Sequence, residues 1–485
     1  MAFLMEPFCW QPLPLHAKVA STMSPAEPRR PNRALVVPAL ALLVMASRLV
    51  AGVPAPASAT LDRPALADSV RAELLFCWKA YEQYAWGHDE LRPVSKTPRD
   101  WYGEPVLMTP VDALDALLMM GFQAEADQAR ELIVERLSFD RDTSVQVFEV
   151  TIRLLGGLLS GYQMTGDERL LLLAGDLGTR LLPAFGSLTG MPYRFVNLRT
   201  GRVSGSRSNP AEIGTLLLEF GTLAKLTNRP EFYDRAKQAL MTLYARRSTI
   251  GLVGEEIDVE TGAWVGTASH VGAYIDSYYE YLVKCARLFD DRDCERMWKA
   301  SLAALNTVVA DDSAGALWYG QVDMTTGRRT ATEYGALQAF LPGVLALGGD
   351  LPRARRLQAS CYAMWNLHGI EPEVLDYRTM KVIHAGYPLR PEIMESAYVL
   401  YRRTKDPRYL EMGRAFFRGL VAHCRTDAGY TTLKNVETKE KGDLMHSFFL
   451  AETLKYLWLL FAPDGAFDSR RVVFNTEAHP LRRTW

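Results

Sequence analysis

Cysteine is scarce in this chain. The six in 485 residues (Cys9, Cys77, Cys285, Cys294, Cys361 and Cys424) show no metal-ligand spacing, which argues against a cysteine-held metal. Cys285 and Cys294 are close enough in sequence to pair, and sequence alone leaves that open. No lysine/arginine block exists and the formal net charge is −1, so a nucleic-acid partner is not expected. No Pro/Ser/Gly-rich linker or low-complexity run interrupts residues 68–480, so the length prior of about three domains gives way to one large domain. No Asn-x-Ser/Thr acceptor and no C-terminal retention tetrapeptide is present, which favours a bacterial periplasm or secretion, with a secretory lumen the expectation if the source is eukaryotic. There is no sustained heptad or apolar stripe calling for a partner, so a monomer is expected. What remains is ordinary globular composition, 48% hydrophobic and 23% charged.

The first sixty residues differ in kind. Arg29, Arg30 and Arg33 precede the apolar run Ala34 to Ala46, and Ala57-Ser58-Ala59 supplies an A-x-A cleavage site. A membrane span needs about twenty apolar residues, and Arg48 interrupts too early. Residues 1–59 are therefore expected to be a signal peptide with its preceding residues, cleaved after Ala59, and residues 60–485 a single catalytic-size domain. A retained signal anchor is the alternative, and Met23 is a possible start.

Helical periodicity dominates the rest. Val111-Leu114-Leu117-Leu118, Leu216-Leu217-Phe220-Leu223, Tyr278-Tyr281-Leu282-Cys285 and Phe448-Leu450-Leu454-Leu457 all follow three/four spacing. Five hairpin tips interrupt it about every sixty residues: Leu198 to Gly201, Val259 to Gly262, Thr325 to Gly327, Tyr377 to Thr379 and Val436 to Lys439. Strands are expected only there. With no parallel-strand pattern, Rossmann and TIM architectures are excluded, and an all-α toroid of inner and outer helices with short β-hairpins at one rim fits. After the tips come acids: Glu212 and Glu219, Asp276 and Glu280, Glu333, Glu392 and Glu395, then His446 with Glu452. Arranged in a ring, those acids converge at one end, which suits a sugar or a cation.

Glu149 and Arg153 stand four apart on one helical face, compatible with an ordinary ion pair or with a desolvated acid beside Leu154-Leu155-Gly156-Gly157-Leu158. Asp276 opens a tyrosine-rich helix, where it could cap the helix or serve a sugar packed on aromatic rings. Pro391 suits a first helical position, which makes Glu392 and Glu395 early-helix acids with Arg390 at the rim. Phe474-Asn475-Thr476-Glu477-Ala478-His479-Pro480 follows the last helix and reads as a plug for the ring. Thr476 brings two hard oxygens of the kind Ca²⁺ takes.

These segments together resemble glycoside hydrolase family 47, the class I α-1,2-mannosidases. The likeness runs from about Ala80 to Pro480 and includes Tyr84 to Leu91, Val111 to Asp115, Phe148 to Gly157, Asp276 to Leu282, Arg390 to Ser396 and Phe474 to Pro480. Gly190-Met191-Pro192-Tyr193, Gly254 to Asp258 and Gly386-Tyr387-Pro388 resemble the ER degradation-enhancing mannosidase-like branch. The resemblance implies an (α/α)7 barrel, inverting hydrolysis of terminal α-1,2-linked mannose on a glycan or glycoprotein, and one Ca²⁺ bound by Thr476. Glu392 would be the general base and Glu149 the acid, acting through a water, with Asp276 the competing acid. Inversion needs carboxyl groups about 6.5–9.5 Å apart. Arg153, Glu219, Arg390, Glu395 and Glu477 would line the sugar site or hold calcium-bound waters. Three departures stand out. His446 replaces a family glutamate, which points to weaker binding or a lectin-like relative without turnover. Ala339 stands where processing enzymes pair a cysteine with the equivalent of Cys361, and Tyr274 where they place a specificity-setting arginine.

Overall fold

The computed structural model describes residues 61–485. The expected signal peptide and Cys9 lie outside the described residues.

Among the described residues, seven inner helical segments alternate with seven outer helices. The inner set is Met108–Met119, 147–165, 210–227, Asp276–Phe289, 336–348, Glu392–Thr404 and 449–461. The outer set is Arg63–Ala85, Gln123–Arg136, Glu168–Leu181, Pro230–Ala245, Arg292–Ala304, Leu351–Asn366 and Arg408–His423. Each inner segment packs on the outer helix that follows it, and the last packs on Arg63–Ala85. Consecutive inner segments also touch, and 449–461 returns to Met108–Met119, which closes the ring. This is the expected all-α (α/α)7 toroid.

Sequence dictates which helix goes inside. Every residue of Leu454–Phe461 is buried, as is required of a helix apolar all round. Gln123–Arg136 instead buries only Ala126, Ala129, Leu132 and Ile133, one stripe of an otherwise polar helix, and so belongs outside. The space between the rings is filled by side chains such as Leu177, Phe220, Leu223 and Phe232. Each large one contributes roughly 1.5–3 kcal/mol by leaving water.

All five expected hairpins form, and they share a device. Asn197, Asp258, Asp323, Asp376 and Asn435 each end a strand and accept two backbone N–H bonds from residues two and three further on. A left-handed residue follows each turn: Gly201, Gly262, Gly327, Met380 and Lys439. Four of the hairpins recruit a third strand that leads to an inner helix: Ser144–Gln146, Arg207–Ser208 and Glu333–Gly335 within a residue or two, and Ala268–Ser269 through residues 270–275. The hairpins thus fix where inner helices begin. The expectation that strands occur only in these hairpins is corrected. Glu90–Arg92 with Thr97–Arg99, Ala310–Asp311 with Trp318–Tyr319, and Val472–Phe474 with Pro480–Arg482 also pair.

The last pair is the plug. Its loop, 475–479, folds around Asn475, whose side chain accepts from the Glu477 and His479 N–H groups and donates to Ile152 O and Glu219 Oε1. Gly156 and Gly157 make room, since a Cβ on Gly156 would stand 2.7 Å from Asn475 Nδ2 and one on Gly157 2.8 Å from Val111 O. His479 bridges Asp115 (2.7 Å) and Asp112 (3.3 Å), and Lys455 lies 2.6 Å from Asp115 and donates to Ala478 O. The pairing raises the imidazole to about 9 although burial works the other way. The five described cysteines are free and buried, so the open question of a Cys285–Cys294 bridge resolves to two thiols.

Candidate active site

Inner helices begin under the hairpin rim, so residues in their first turns face one end of the ring. Glu149, Asp276, Glu392 and Glu395 occupy that level, and Glu477 comes from the plug loop. The chain reaches two of these starts through strained backbone: Tyr274 and Leu389 have φ of 74° and 69°. Left-handed non-glycine residues cost on the order of 1 kcal/mol or more and concentrate at functional sites. Two inner segments carry a π-helical turn, Thr151–Leu155 around Arg153 and Phe449–Thr453 around Glu452. Such turns re-aim a side chain and are frequent at functional sites.

Cations tie the acids together. Arg153 is bonded to Glu149 (2.9 Å) and Glu477 (2.7 Å), lies 3.8 Å from Asp112, and stacks on Trp101 and Phe448. Lys284 joins Glu280, Glu395 (3.2 Å) and the Asn475 carbonyl. Tyr456 also donates to Glu395, and Tyr281 donates to Glu219 at 2.6 Å. Arg390 is held by Glu373 at 2.7 Å.

Those cations do not balance the acids. Glu219, Glu280, Glu371, Glu395, Glu452 and Glu477 are all buried, against Arg153, Lys284 and Arg390. Burial pushes Glu392 up to about 8 against the pull of Arg390, and Glu219 up to about 7 against hydrogen bonds from Tyr281 and Asn475. It raises Asp276 to about 7, with Glu280 adding to it, and drives Glu371, Glu395, Glu452 and Glu477 upward too. Among the described residues, Glu219 Oε2, Glu392 Oε2 and both Glu371 oxygens are buried without a hydrogen-bond partner. A ring of desolvated carboxyls with oxygens to spare can bind a cation, order water and exchange protons.

Not every expected residue joins the ring. Glu333 is exposed in strand Glu333–Gly335, and the inner segment after it presents Gln338 instead. Glu212 is consumed at the rim by Arg194 (2.7 Å), Gln146 and Ser208. Asp276 does not cap its helix; Ile275 holds that position and Asp276 is the first helical residue, accepting the N–H and hydroxyl of Ser277. Pro391 precedes the helix rather than opening it. Thr476 lies in the plug loop, its N–H 3.4 Å from the Tyr281 hydroxyl.

Other residues carry the site without having been singled out for it. Glu371 and Glu373 precede a strand far in sequence from Arg390 and gave no helical signal. Lys284 sits in an apolar helix face. Trp101 follows Asp100 in the loop that Asp89 organises by accepting the N–H groups of Trp101, Val106 and Met108. His446 contacts Glu90 at 3.2 Å and stacks flat on Phe448, with Glu90 also paired to Arg99. Burial would raise Glu90, but His446 and Arg99 hold it at about 2.

An α/α toroid with paired and surplus buried carboxyls at one end has the acid and base groups that a glycosidase needs. The sequence profile of glycosyl hydrolase family 47 matches residues 73–483, and the chain belongs to that family. It is 37% identical over 482 residues to mouse ER degradation-enhancing alpha-mannosidase-like protein 2, covering 92% of this chain and 82% of that protein. With Arabidopsis thaliana alpha-mannosidase I MNS5 it shares 36% identity over 446 residues, 86% of this chain and 76% of the other. Among solved structures, the alpha-1,2-mannosidase from Trichoderma reesei superposes with a TM-score of 0.80 at 27% identity, covering 86% of this chain and 99% of that one. Cellobiose 2-epimerase from Spirochaeta thermophila shares the fold at a TM-score of 0.57 and 12% identity. No described helix is long and apolar enough to cross a membrane.

Proposed function

We propose that this enzyme removes terminal α-1,2-linked mannose from high-mannose glycans, by inversion and with calcium. The observation that carries the reading is the surplus of buried carboxyls at the helix-start end of the ring. The names of the relatives supply the sugar and the linkage. An exported or lumenal setting is supported by the ER mannosidases among the relatives and by the leader-like character of residues 1–59.

Glu392 is the proposed base. A carboxyl must be ionised to take a proton from water, and at about 8 Glu392 stands well above its usual range. Arg390 opposes that shift. A bound cation would oppose it further, and the residues fit one. Thr476 offers hydroxyl and carbonyl oxygens, the donor set is all oxygen, and Glu219 and Glu392 keep buried oxygens free. No three acidic, histidine or cysteine side chains converge to ligate a metal directly among the described residues, so water ordered by the carboxyls would complete the shell. Calcium held there would supply charge for gripping adjacent sugar hydroxyls.

The acid is Glu149 or Asp276. Burial favours Asp276, whose carboxyl it raises to about 7, whereas Glu149 is engaged by a hydrogen bond from Arg153. Arg153, Glu477 and Arg390 orient the sugar, and Trp101 offers a face for a pyranose. The test is the anomer first released from α-1,2-mannobiose, followed by proton NMR. β-Mannose appearing first supports inversion; α-mannose appearing first overturns it.

A further inference from the structure

A cavity of about 710 Å³ lies between helices Asp276–Phe289 and Glu392–Thr404 and the plug strand Val472–Phe474, running from Lys284, Glu395 and Tyr456 out to the far ends of the two helices. Arg287 and Arg403 line it, each eleven residues beyond the Asp276 and Glu392 that open their helices. At 1.5 Å per residue that is roughly 16 Å from the sugar end. Its lining holds six cationic side chains, Lys284, Arg287, Arg402, Arg403, Arg471 and Arg483, against two acids, Asp290 and Glu395. Both acids are engaged: Asp290 by Arg483, Glu395 by Lys284 and Tyr456.

Last-turn arginines complement helix dipoles, and that accounts for Arg287, Arg402 and Arg403. It does not account for Arg471 and Arg483, which the C-terminal segment brings to the same place. Arg403 and Arg471 have no ion-pair or hydrogen-bond partner for their side chains among the described residues. Although exposed, Arg287 is lowered by the partial desolvation of the cleft and by the neighbouring charge of Arg403. In a chain of net charge −1 such a concentration is anomalous. Tyr398, Tyr456 and Phe474 pack on one another along the wall, the two tyrosines buried and Phe474 partly open.

We infer that this cleft binds a phosphate-bearing saccharide, the phosphate held by guanidinium groups from the two helix ends and from Arg471, and the sugar lying against Phe474. Guanidinium forks match phosphate oxygens in pairs and favour a dianion over a single carboxylate. The cleft meets the acid cluster at Lys284, Glu395 and Tyr456, but its guanidinium groups lie at the far helix ends, and the binding test does not depend on turnover.

The test is calorimetric titration of the full-length chain with mannose 6-phosphate, inorganic phosphate and mannose, repeated with the double variant Arg403→Gln/Arg471→Gln. Saturating mannose in the cell separates the cleft from the sugar site. Mannose 6-phosphate is expected to bind in the presence of mannose, to weaken as salt rises, and to bind the double variant at least tenfold more weakly. Mannose release from a neutral mannoside should be unchanged in that variant. Equal affinity for the unmodified chain and the variant, or no binding to the unmodified chain, would overturn the proposal. Inorganic phosphate binding as tightly as the phosphosugar would overturn the saccharide part of it.

Discussion

The two ends of the inner helices carry opposite charge, and they differ more in burial than in sign. At the starts, carboxyls are desolvated and outnumber their cations. At the far ends, Arg287, Arg402, Arg403 and Arg471 are exposed. Both arrangements agree with the helix dipole, so sign alone says little about function. Desolvation separates them: the buried acids are shifted by whole pKa units, and the exposed arginines remain available for a ligand from solvent. Between the ends stands the plug, which closes one face and lends Glu477 to the other.

The largest effect should come from the acid end. Glu392→Gln is isosteric but cannot accept a proton, and mannose release should fall by about 10²–10⁴-fold with the thermal transition retained. Release within tenfold of the unmodified enzyme would remove Glu392 from the mechanism.

Breaking the plug comes next. His479→Ala strips Asp112 and Asp115 of a buried partner, and breaking a buried pair of this kind costs about 3–5 kcal/mol. Urea unfolding should show that loss. Gly156→Ala should cost less, about 1–3 kcal/mol, because Asn475 must shift to admit the methyl group.

A third test uses proton linkage. Glu392, Glu219 and Asp276 have folded pKa values raised to about 8, 7 and 7. A raised acid keeps its proton in the folded state after the unfolded chain has lost its own. The stability this contributes is complete below about pH 4 and lost as pH rises through about 8. Calcium-free protein should therefore become less stable from pH 5 to pH 8, and added calcium should stabilise it most at the upper end. A flat or rising melting temperature in EDTA over that range would contradict the charge imbalance.

The smallest effect is expected at His446. It hydrogen-bonds Glu90 and stacks on Phe448 rather than meeting the acid ring, so His446→Glu should change turnover by less than tenfold. A gain of a hundredfold or more would show that His446 disables the site.

The ring, its rim hairpins and the plug were legible because each leaves a local pattern: three/four periodicity, a recurring Thr-Gly tip, a polar motif after the last helix. The Asp or Asn that builds each tip stands at a fixed offset before it, a signal as regular as the tip itself. Glu333 and Glu212 show where the pattern overreached, since both follow hairpins but one faces solvent and the other is spent on Arg194. Glu371, Glu373 and Lys284 were not legible as site residues. Their meeting with Glu392, Arg390 and Glu395 depends on how the inner helices and rim strands close the ring, and no spacing along the chain encodes that.

The most direct test of the account is mannose release from a high-mannose glycan by the purified protein, with calcium and then with excess EDTA. Release that stops in EDTA and returns with calcium is the predicted result. No release in either condition from folded protein that still binds the glycan would contradict it, and would leave a lectin-like member of the family.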